Sequence, residues 1–450
     1  MSKEDIFDRV VAKRTNGKSL SKLRACVLDY GFFLSHAERL AQDFKEVYFV
    51  PLGWKGEFPD VEKSLIGEGR PGITVVPDFY DIKRELDPEN DLIAFFDVGE
   101  GKWAEDLRIE GFKRVFSCGR AERLEMDRWF LKEHMESIGL PVTPFLGGDW
   151  EKGKIQGLTN LEKKLQEIEG KADKFWVKIS TFRGLRETFP FESMVQVQPY
   201  LTEIEGKAGK FADRVKFLIE DHIEAIESGC DVFTSKGLYF PKCLEGWEKK
   251  GTGLVGKVVD TQKLSRPLLK VLIEISPYLK KNGAQGMMST ENRITPDGTA
   301  YMPDGTLRSG NPPGDLQLTT WRNFPKMVYA AAGGETIMPE ETGKYGIQLQ
   351  LHSGWAESKS MVIEVPEKYA PYVWLRKIAK LDGHNHYIPR SGIDCIGAVV
   401  KTGDNLDELW EEVLDIAGQV KGIGIEYDPN LWPDLKKTIA QGEKRGLEKF

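Results

Sequence analysis

The sequence predicts a mixed α/β (α+β) protein that begins with a parallel β-sheet and continues with antiparallel units. Three observations support this class. Over residues 1–120, short apolar runs alternate with helical stretches, which is typical of parallel sheets with crossover helices. The turn sequence Thr295-Pro-Asp-Gly298 separates two apolar runs and predicts an antiparallel hairpin. The tail, residues 345–450, combines strand patterns with one amphipathic helix.

The elements of the first unit follow from its apolar runs. Helices are expected at residues 35–44 and 104–111. Buried strands are predicted at residues 24–29, 46–51, 91–97 and 114–118. This alternation predicts a parallel sheet with crossover helices, and such sheets bind ligands at the carboxyl ends of their strands.

Later segments supply further helices and strands. A long amphipathic helix is predicted over residues 121–138, because Gly139 and Pro141 end it. Two more helices are predicted at residues 264–281 and 406–420. The later strands are predicted at residues 175–179, 194–199, 215–219, 286–294, 299–302, 346–352, 360–364 and 395–401.

The composition limits the class of protein. With 450 residues the chain has room for about three domains, and its hydrophobic content of 40% excludes global disorder. A net charge of −7 argues against a nucleic-acid-binding surface over the whole chain. No apolar run is long enough to span a membrane. Five scattered cysteines, none in a CxxC pair, predict a cytoplasmic protein with reduced thiols.

The hairpin carries the most informative polar side chains. Glu291 lies on its first strand, and Asp304, Thr306 and Arg308 lie just past its second strand. An antiparallel hairpin can bring Glu291 and Asp304 face to face, and two carboxylates beside a hydroxyl form the oxygen-rich site that Mg²⁺ prefers. Arg308 would then stabilise the charge on a transferring phosphoryl group. The alternative interpretation is a solvated hairpin with ordinary surface charges.

Five segments resemble, in the same order, the motifs of one enzyme family. They are the helix at 121–135 with the following Ile138-Gly-Leu-Pro-Val, the strand Phe175-Trp-Val-Lys178, the segment Phe217-Leu-Ile-Glu220-Asp-His-Ile223, the hairpin residues described above, and the tail segment Ser391-Gly-Ile-Asp-Cys-Ile-Gly-Ala-Val-Val-Lys401. On these residues the chain resembles the ATP-grasp ligases, and in domain order it is most similar to phosphoribosylamine–glycine ligase.

The resemblance implies a domain order and a reaction. It implies an N-terminal Rossmann-like domain at 1–120, an ATP-grasp domain at 121–335 with a lid subdomain at about 173–235, and a C-terminal α+β domain at 336–450. The implied cofactors are ATP and Mg²⁺, with Mn²⁺ as a possible substitute. A small-molecule carboxylate and an amine would be joined into an amide through an acyl phosphate, with release of ADP and phosphate. We expect a monomer or homodimer.

The resemblance also assigns roles to individual residues. Apart from the resemblance, the lysine- and glycine-rich segment 247–257 is expected to close over the site as a mobile lid. The implied nucleotide-binding residues are Arg128 and Lys178 for the phosphates, Glu220 and Ile223 for the adenine, and Asp231 for the ribose. The implied metal ligands are Glu291, Asp304 and Thr306. The residues expected to stabilise charge on the reacting group are Arg308 and Arg183.

Two alternatives remain open at this point. Asp304 and Thr306 stand where the family has glutamate and asparagine, so the chain can instead be a nucleotide-binding protein that no longer performs ligation. The other alternative is a ligase for a larger anionic substrate, such as a modified nucleotide or a peptide.

Overall fold

The computed structural model describes residues 19–53, 64–171, 174–180, 188–389 and 393–450. These residues form four β-sheets, one parallel and three antiparallel, with helices packed against them. The predicted mixed α/β class is therefore confirmed. Among the described residues, no helix is both long enough and apolar enough to cross a membrane.

The first sheet is parallel and five-stranded. Its strands are β1 (Arg24–Asp29), β2 (Glu46–Pro51), β3 (Ile73–Val75), β4 (Leu92–Ala94) and β5 (Val115–Phe116). The helices of this part are α1 (Leu34–Leu40), α2 (Phe79–Ile82) and α3 (Gly101–Ile109). The strand order is β3-β2-β1-β4-β5, so the chain changes direction across the sheet between β1 and β4. This is the point at which open parallel sheets form a ligand crevice.

The long helix predicted at 121–138 is interrupted. The structure has two helices, α4 (Arg123–Met126) and α5 (Arg128–Ser137), separated by Asp127 in an extended conformation. The Asp127 carboxylate accepts a hydrogen bond from the Phe130 N–H (3.2 Å) and so caps α5. The continuous amphipathic pattern concealed this break, and the cap places Arg128 at the first position of a new helix.

The second sheet is antiparallel and four-stranded. Its elements in chain order are β6 (Lys154–Gln156), α6 (Leu158–Ile168), β7 (Phe175–Ile179), β8 (Thr188–Phe191), α7 (Met194–Ala208) and β9 (Lys216–Asp221). The strand order is β6-β9-β7-β8. Both helices bury their apolar faces against the phenylalanines of the strands, which gives this sheet its own core.

Residues 194–199 were expected to form a strand because apolar and polar residues alternate there, but they form the start of α7. The Ser193 side chain caps this helix by accepting a hydrogen bond from the Gln196 N–H (3.4 Å). Val197 and Leu201, one turn apart, are buried, whereas Val195 is 88% exposed. A helix places Val195 and Val197 on different faces, so packing at helical spacing overrode the local alternation.

The third sheet is the largest, with nine antiparallel strands, and the fourth is a small three-stranded sheet. The strands in chain order are β10 (Ile226–Ser235), β11 (Leu238–Tyr239), β12 (Lys242–Lys249), β13 (Gly253–Asp260), β14 (Gln285–Ile294), β15 (Ala300–Thr306), β16 (Tyr345–His352), β17 (Met361–Ile363), β18 (Val373–Leu375), β19 (Ile378–Leu381), β20 (His384–Tyr387) and β21 (Cys395–Gly403). The helices are α8 (Arg266–Lys281), α9 (Gly314–Thr320), α10 (Phe324–Ala332), α11 (Leu406–Gln419) and α12 (Leu431–Lys444).

The large sheet has the order β15-β14-β10-β12-β13-β16-β21-β18, with β11 paired to β10, and the small sheet has the order β17-β20-β19. Strands that precede and strands that follow the predicted domain boundary at residues 335/336 therefore belong to one sheet. The domain boundaries stay a prediction. The lid expected at 247–257 is wrong: Trp247 is 1% exposed on β12, and this segment lies within β12, β13 and their connecting turn.

Candidate functional site

A cleft of about 590 Å³ lies between the four-stranded sheet and the nine-stranded sheet. Side chains of β7 and β9 line one side of it, and side chains of β10, β12, β14 and β15 line the other. The chain crosses from one sheet to the other between the end of β9 and the start of β10. The nine predicted site residues that the structure describes all line this cleft: Arg128, Lys178, Glu220, Ile223, Asp231, Glu291, Asp304, Thr306 and Arg308. Arg183 lies outside the described residues.

The side formed by the four-stranded sheet carries buried cations, and we call it the cationic wall (Arg128, Lys132 and Lys178, with Glu220). Lys178 on β7 lies 2.8 Å from the Glu220 carboxylate on β9. Lys132 on α5 pairs with the other oxygen of Glu220. Lys132, Lys178 and Glu220 are at most 4% exposed, and such buried charges are costly unless they are paired.

The ion pairs of the cationic wall shift the pKa values of its members. Burial alone would raise the pKa of Glu220, but Lys132 and Lys178 more than offset it and bring that pKa down to about 2. Burial, together with the nearby Lys132 and Arg128, lowers the pKa of Lys178 to about 8 against the opposing effect of Glu220. Glu220 is therefore ionised at neutral pH, and Lys178 carries a proton that is released more readily than usual.

Arg128 connects this wall to the hairpin. Its guanidinium pairs with Asp304 on β15, and its Nε donates to the Ile179 carbonyl at the end of β7 (3.1 Å). Lys178 also donates to the Asp304 carboxylate (3.0 Å) and to the Pro303 carbonyl (3.3 Å). Asp304 thus forms ion pairs with two cationic side chains of the wall, Arg128 and Lys178.

The hairpin of β14 and β15 places the predicted metal ligands on one face. Glu291 lies directly opposite Asp304, and Ser289 lies opposite Thr306, so the predicted juxtaposition of the two carboxylates is confirmed. Asp304 and Thr306 belong to β15 itself and do not lie past its end, because the strand continues four residues beyond the predicted end at residue 302. Residues two apart on a strand point to the same side, which aligns Asp304 with Thr306.

This donor set fits a magnesium ion. Carboxylate and hydroxyl oxygens are the ligands that Mg²⁺ prefers, and Mg²⁺ typically takes only one or two protein carboxylates beside phosphates and waters. Lys250 and Arg293 lower the pKa of Glu291 to about 2 against the effect of its burial, so this carboxylate is ionised. Among the described residues no group of three or more His, Cys, Asp or Glu side chains is arranged to hold a metal. The hairpin accordingly supplies two carboxylates rather than a complete protein cage.

The side formed by the nine-stranded sheet is rich in carboxylates, and we call it the acidic floor (Glu227, Asp231, Glu248 and Glu291). Asp231 on β10 accepts a hydrogen bond from the Ser289 hydroxyl, and burial raises its pKa to about 7. Ile223, half-buried, lines the cleft where the chain passes between the two sheets.

Arg308 closes the side of the cleft that faces the parallel sheet. Its Nε lies 2.9 Å from the Glu125 carboxylate and 3.5 Å from that of Asp97. The Leu307 N–H donates to the other oxygen of Glu125 (2.7 Å). Asp97 follows β4 at the crevice of the parallel sheet, so Arg308 connects this crevice to the hairpin.

Several residues that line the cleft or support its walls were missed from the sequence. Lys132 carried a usable signal, since it follows Arg128 by four residues and therefore shares its helix face. Glu248 and Lys250 lie in the segment 247–257 that was expected to cover the site, but neither was predicted as a cleft residue. Glu227 carried no signal, because its proximity to them depends on the pairing of β10 with both β12 and β14. Glu125 and Asp97 likewise meet Arg308 only through long-range packing.

Comparisons with solved structures identify proteins whose fold is similar to that of this chain. The chain is similar to phosphoribosylamine–glycine ligase from Thermotoga maritima (TM-score 0.67, 17% identity, covering 91% of this chain and 100% of that chain). It is similar to biotin carboxylase from Campylobacter jejuni, solved with βγ-ATP (TM-score 0.61, 12% identity, 93% and 100%). It is also similar to the biotin carboxylase domain dimer of Hydrogenobacter thermophilus 2-oxoglutarate carboxylase, solved with MgADP, ADP and bicarbonate (TM-score 0.62, 12% identity, 92% and 98%).

No protein-family model and no curated protein sequence matches the chain. The structural similarities nevertheless span nearly the whole chain and nearly the whole of each neighbour. They confirm, at the level of the fold, the resemblance that the sequence motifs indicated: this chain has the ATP-grasp fold and is similar in structure to phosphoribosylamine–glycine ligase.

Proposed function

We propose that this chain is an ATP- and Mg²⁺-dependent ligase that joins a small-molecule carboxylate to an amine. The observation that carries the proposal is the position of Asp304, which faces Glu291 across the hairpin and pairs with Lys178 and Arg128 of the cationic wall. Cations suited to phosphate and carboxylates suited to a metal thus meet at one point of one cleft. Phosphoryl transfer requires this combination.

ATP is proposed to lie along the cleft with its phosphates near Asp304. Lys178 and Arg128 bind the phosphates, the segment from Glu220 to Ile223 faces the adenine, and Asp231 accepts hydrogen bonds from the ribose hydroxyls. Glu291, Asp304 and Thr306 hold Mg²⁺, which when bound neutralises charge on the phosphate oxygens. Nucleotides in two of the neighbouring structures, and magnesium in one of them, support these cofactors.

The proposed reaction has two steps. An oxygen of the substrate carboxylate bonds to the γ-phosphorus of ATP, and the bond to the β,γ-bridging oxygen breaks to release ADP. The amine nitrogen then bonds to the carbonyl carbon of the acyl phosphate, phosphate leaves with the electron pair of the C–O bond, and the nitrogen loses a proton. Arg308, and Arg183 as a prediction, stabilise the negative charge on the transferred group.

The test is ADP release from Mg²⁺-ATP, screened against pools of carboxylates and amines. We expect ADP formation only when a carboxylate is present together with an amine, and we expect Glu291→Ala to abolish it. This variant should still fold, because Glu291 lies at the cleft rather than in the apolar core. The loss of its ion pairs with Lys250 and Arg293 should lower its melting temperature without unfolding it. Normal turnover in Glu291→Ala would contradict the assignment of the metal site.

A second candidate is a nucleotide-binding protein without ligase turnover. It is favoured by one observation: Glu291 and Asp304 are each already paired with two cations of the chain itself. ATP binding without ADP formation in any pool, including pools of modified nucleotides and peptides, would support this candidate against the ligase.

A further inference from the structure

One ammonium group lies among three carboxylates of the acidic floor. The Lys250 Nζ is 2.8 Å from Glu291, 3.0 Å from Glu227 and 3.4 Å from Glu248. The three acids come from three adjacent strands, β14, β10 and β12. A cation of the chain thus lies within hydrogen-bond distance of the carboxylate that we assign to the metal.

The position of Lys250 allows its side chain to leave. It lies in the turn between β12 and β13, and its side chain is 53% exposed. Gly251, the next residue, has the positive φ (+65°) of a tight turn. Because the lysine stem is not packed into a core, rotation of the ammonium towards solvent opens no cavity. Such a rotation breaks its ion pairs with the three acids.

Electrostatics oppose that loss while no other cation is present. The Lys250 ammonium lies within 3.4 Å of all three acids, so its departure would leave their mutual repulsion less compensated. Without Lys250, Arg293 would be the cation left beside Glu227 and Glu291, at 2.7 and 3.3 Å.

We propose that Lys250 is a built-in counter-ion that competes with the divalent metal for Glu291. This inference rests on the proposed metal site, and it concerns how tightly that site binds. Magnesium contacts carboxylate oxygens at about 2.1 Å, so an ammonium group within hydrogen-bond distance of the same carboxylate would lie beside a doubly charged ion. Like charges at such a separation repel strongly in a partly buried site. Metal binding therefore requires Lys250 to leave Glu291.

The experiment measures metal binding directly. Mn²⁺ is titrated into the full chain without nucleotide, and the free Mn²⁺ is followed by its EPR signal. We expect Lys250→Met, which removes the charge and keeps the length, to bind Mn²⁺ about tenfold more tightly than the natural chain. Lys250→Arg, which keeps the charge, should bind as weakly as the natural chain.

Lys249→Met is the matched control. Lys249 precedes Lys250, but its ammonium pairs with Asp428 and Asp434 (2.6 and 2.7 Å) near the start of α12, away from the cleft. This variant makes the same change in net charge, and we expect unchanged Mn²⁺ affinity. Far-UV circular dichroism of each variant checks that the chain is folded.

The proposal is overturned if Lys250→Met binds Mn²⁺ no more tightly than the natural chain, or if Lys249→Met tightens binding equally. Absence of Mn²⁺ binding in both the natural chain and Lys250→Met also overturns it. These outcomes are separate from turnover: tighter binding in Lys250→Met without ADP release in any pool supports the counter-ion and contradicts the ligase. ADP release with unchanged Mn²⁺ affinity contradicts the counter-ion alone.

Discussion

The two sides of the cleft are built from different elements and carry opposite charge. The cationic wall presents Arg128, Lys132 and Lys178 from a helix and the neighbouring strand β7. The acidic floor presents its carboxylates from adjacent antiparallel strands of the large sheet. The two sides meet at Asp304, which lies on the hairpin and pairs with the wall. This separation of charge suits a ligand that carries phosphates on one side and a metal on the other.

The pKa values of two buried acids, Glu220 and Asp231, illustrate how the two sides differ. Glu220 in the wall has two lysine partners, and its pKa falls to about 2. Asp231 in the floor has the Ser289 hydroxyl as its hydrogen-bond partner, and its pKa rises to about 7. Both carboxyl groups are nearly inaccessible to solvent. The comparison shows that the charges around a buried carboxyl decide its protonation state, since burial is common to both.

Of three further effects, the largest is expected where the two sides meet. Asp304→Asn removes a proposed metal ligand and the shared partner of Arg128 and Lys178, so we expect ATP turnover to fall at least about 100-fold. Steady-state ADP release measures it. The control is Asp260→Asn, since Asp260 pairs with Lys263 away from the cleft (2.8 Å) and should be replaceable without loss. Equal losses in the two variants would contradict the special position of Asp304.

The second prediction concerns the protonation of the wall. The pKa of Lys178 is lowered to about 8, so its ammonium loses the proton as the pH rises through that value. If phosphate binding needs the charged form, ATP affinity should fall about tenfold between pH 7.5 and pH 9. Isothermal titration calorimetry at a series of pH values measures the change.

Lys178→Arg provides the control for this pH dependence. Arginine stays protonated over the whole interval, so the ATP affinity of the variant should be nearly constant between pH 7.5 and pH 9. The same fall in the variant as in the natural chain would assign the pH dependence to another group.

The smallest effect is expected in the floor, on stability rather than activity. The pKa of Asp231 is about 7 in the folded chain and has an ordinary value of 3.8. Between these values the folded state holds a proton that the unfolded state releases, so stability falls as the pH rises. Asp231→Asn lacks this group. From pH 5 to pH 6 its free energy of unfolding should therefore fall by about 1 kcal/mol less than that of the natural chain.

Urea unfolding at the two pH values measures this difference. Asp297→Asn is a useful comparison, because Asp297 lies exposed in the hairpin turn and has a lowered pKa owing to its hydrogen bonds with Thr295 and Thr299. Its replacement should leave the change between pH 5 and pH 6 unaltered. An Asp231→Asn variant with the same pH dependence as the natural chain would show that Asp231 is ionised in the folded state.

Local features of the sequence were enough to predict the central part of the site. The Thr295-Pro-Asp-Gly298 turn predicted the hairpin, and the hairpin brings Glu291 close to Asp304. Their directly opposite position also depends on a β-bulge between Glu291 and Arg293, which shifts the pairing by one residue from the register next to the turn. Lys178 ends an apolar strand, which indicated a special role before any partner was known. The alternation of strands and helices predicted the parallel sheet for the same reason, since each pattern is read over a few residues.

Tertiary structure alone decided the features that depend on distant segments. Met194–Ala208 is a helix because Val197 and Leu201 pack against the four-stranded sheet, although the local alternation predicted a strand. Lys132 and Glu220 are far apart in sequence and meet only when α5 packs against β9. Lys250 reaches Glu227 and Glu291 because β10 pairs with both β12 and β14. Local propensity determines which residues form a strand, but strand order and packing determine which charges become neighbours.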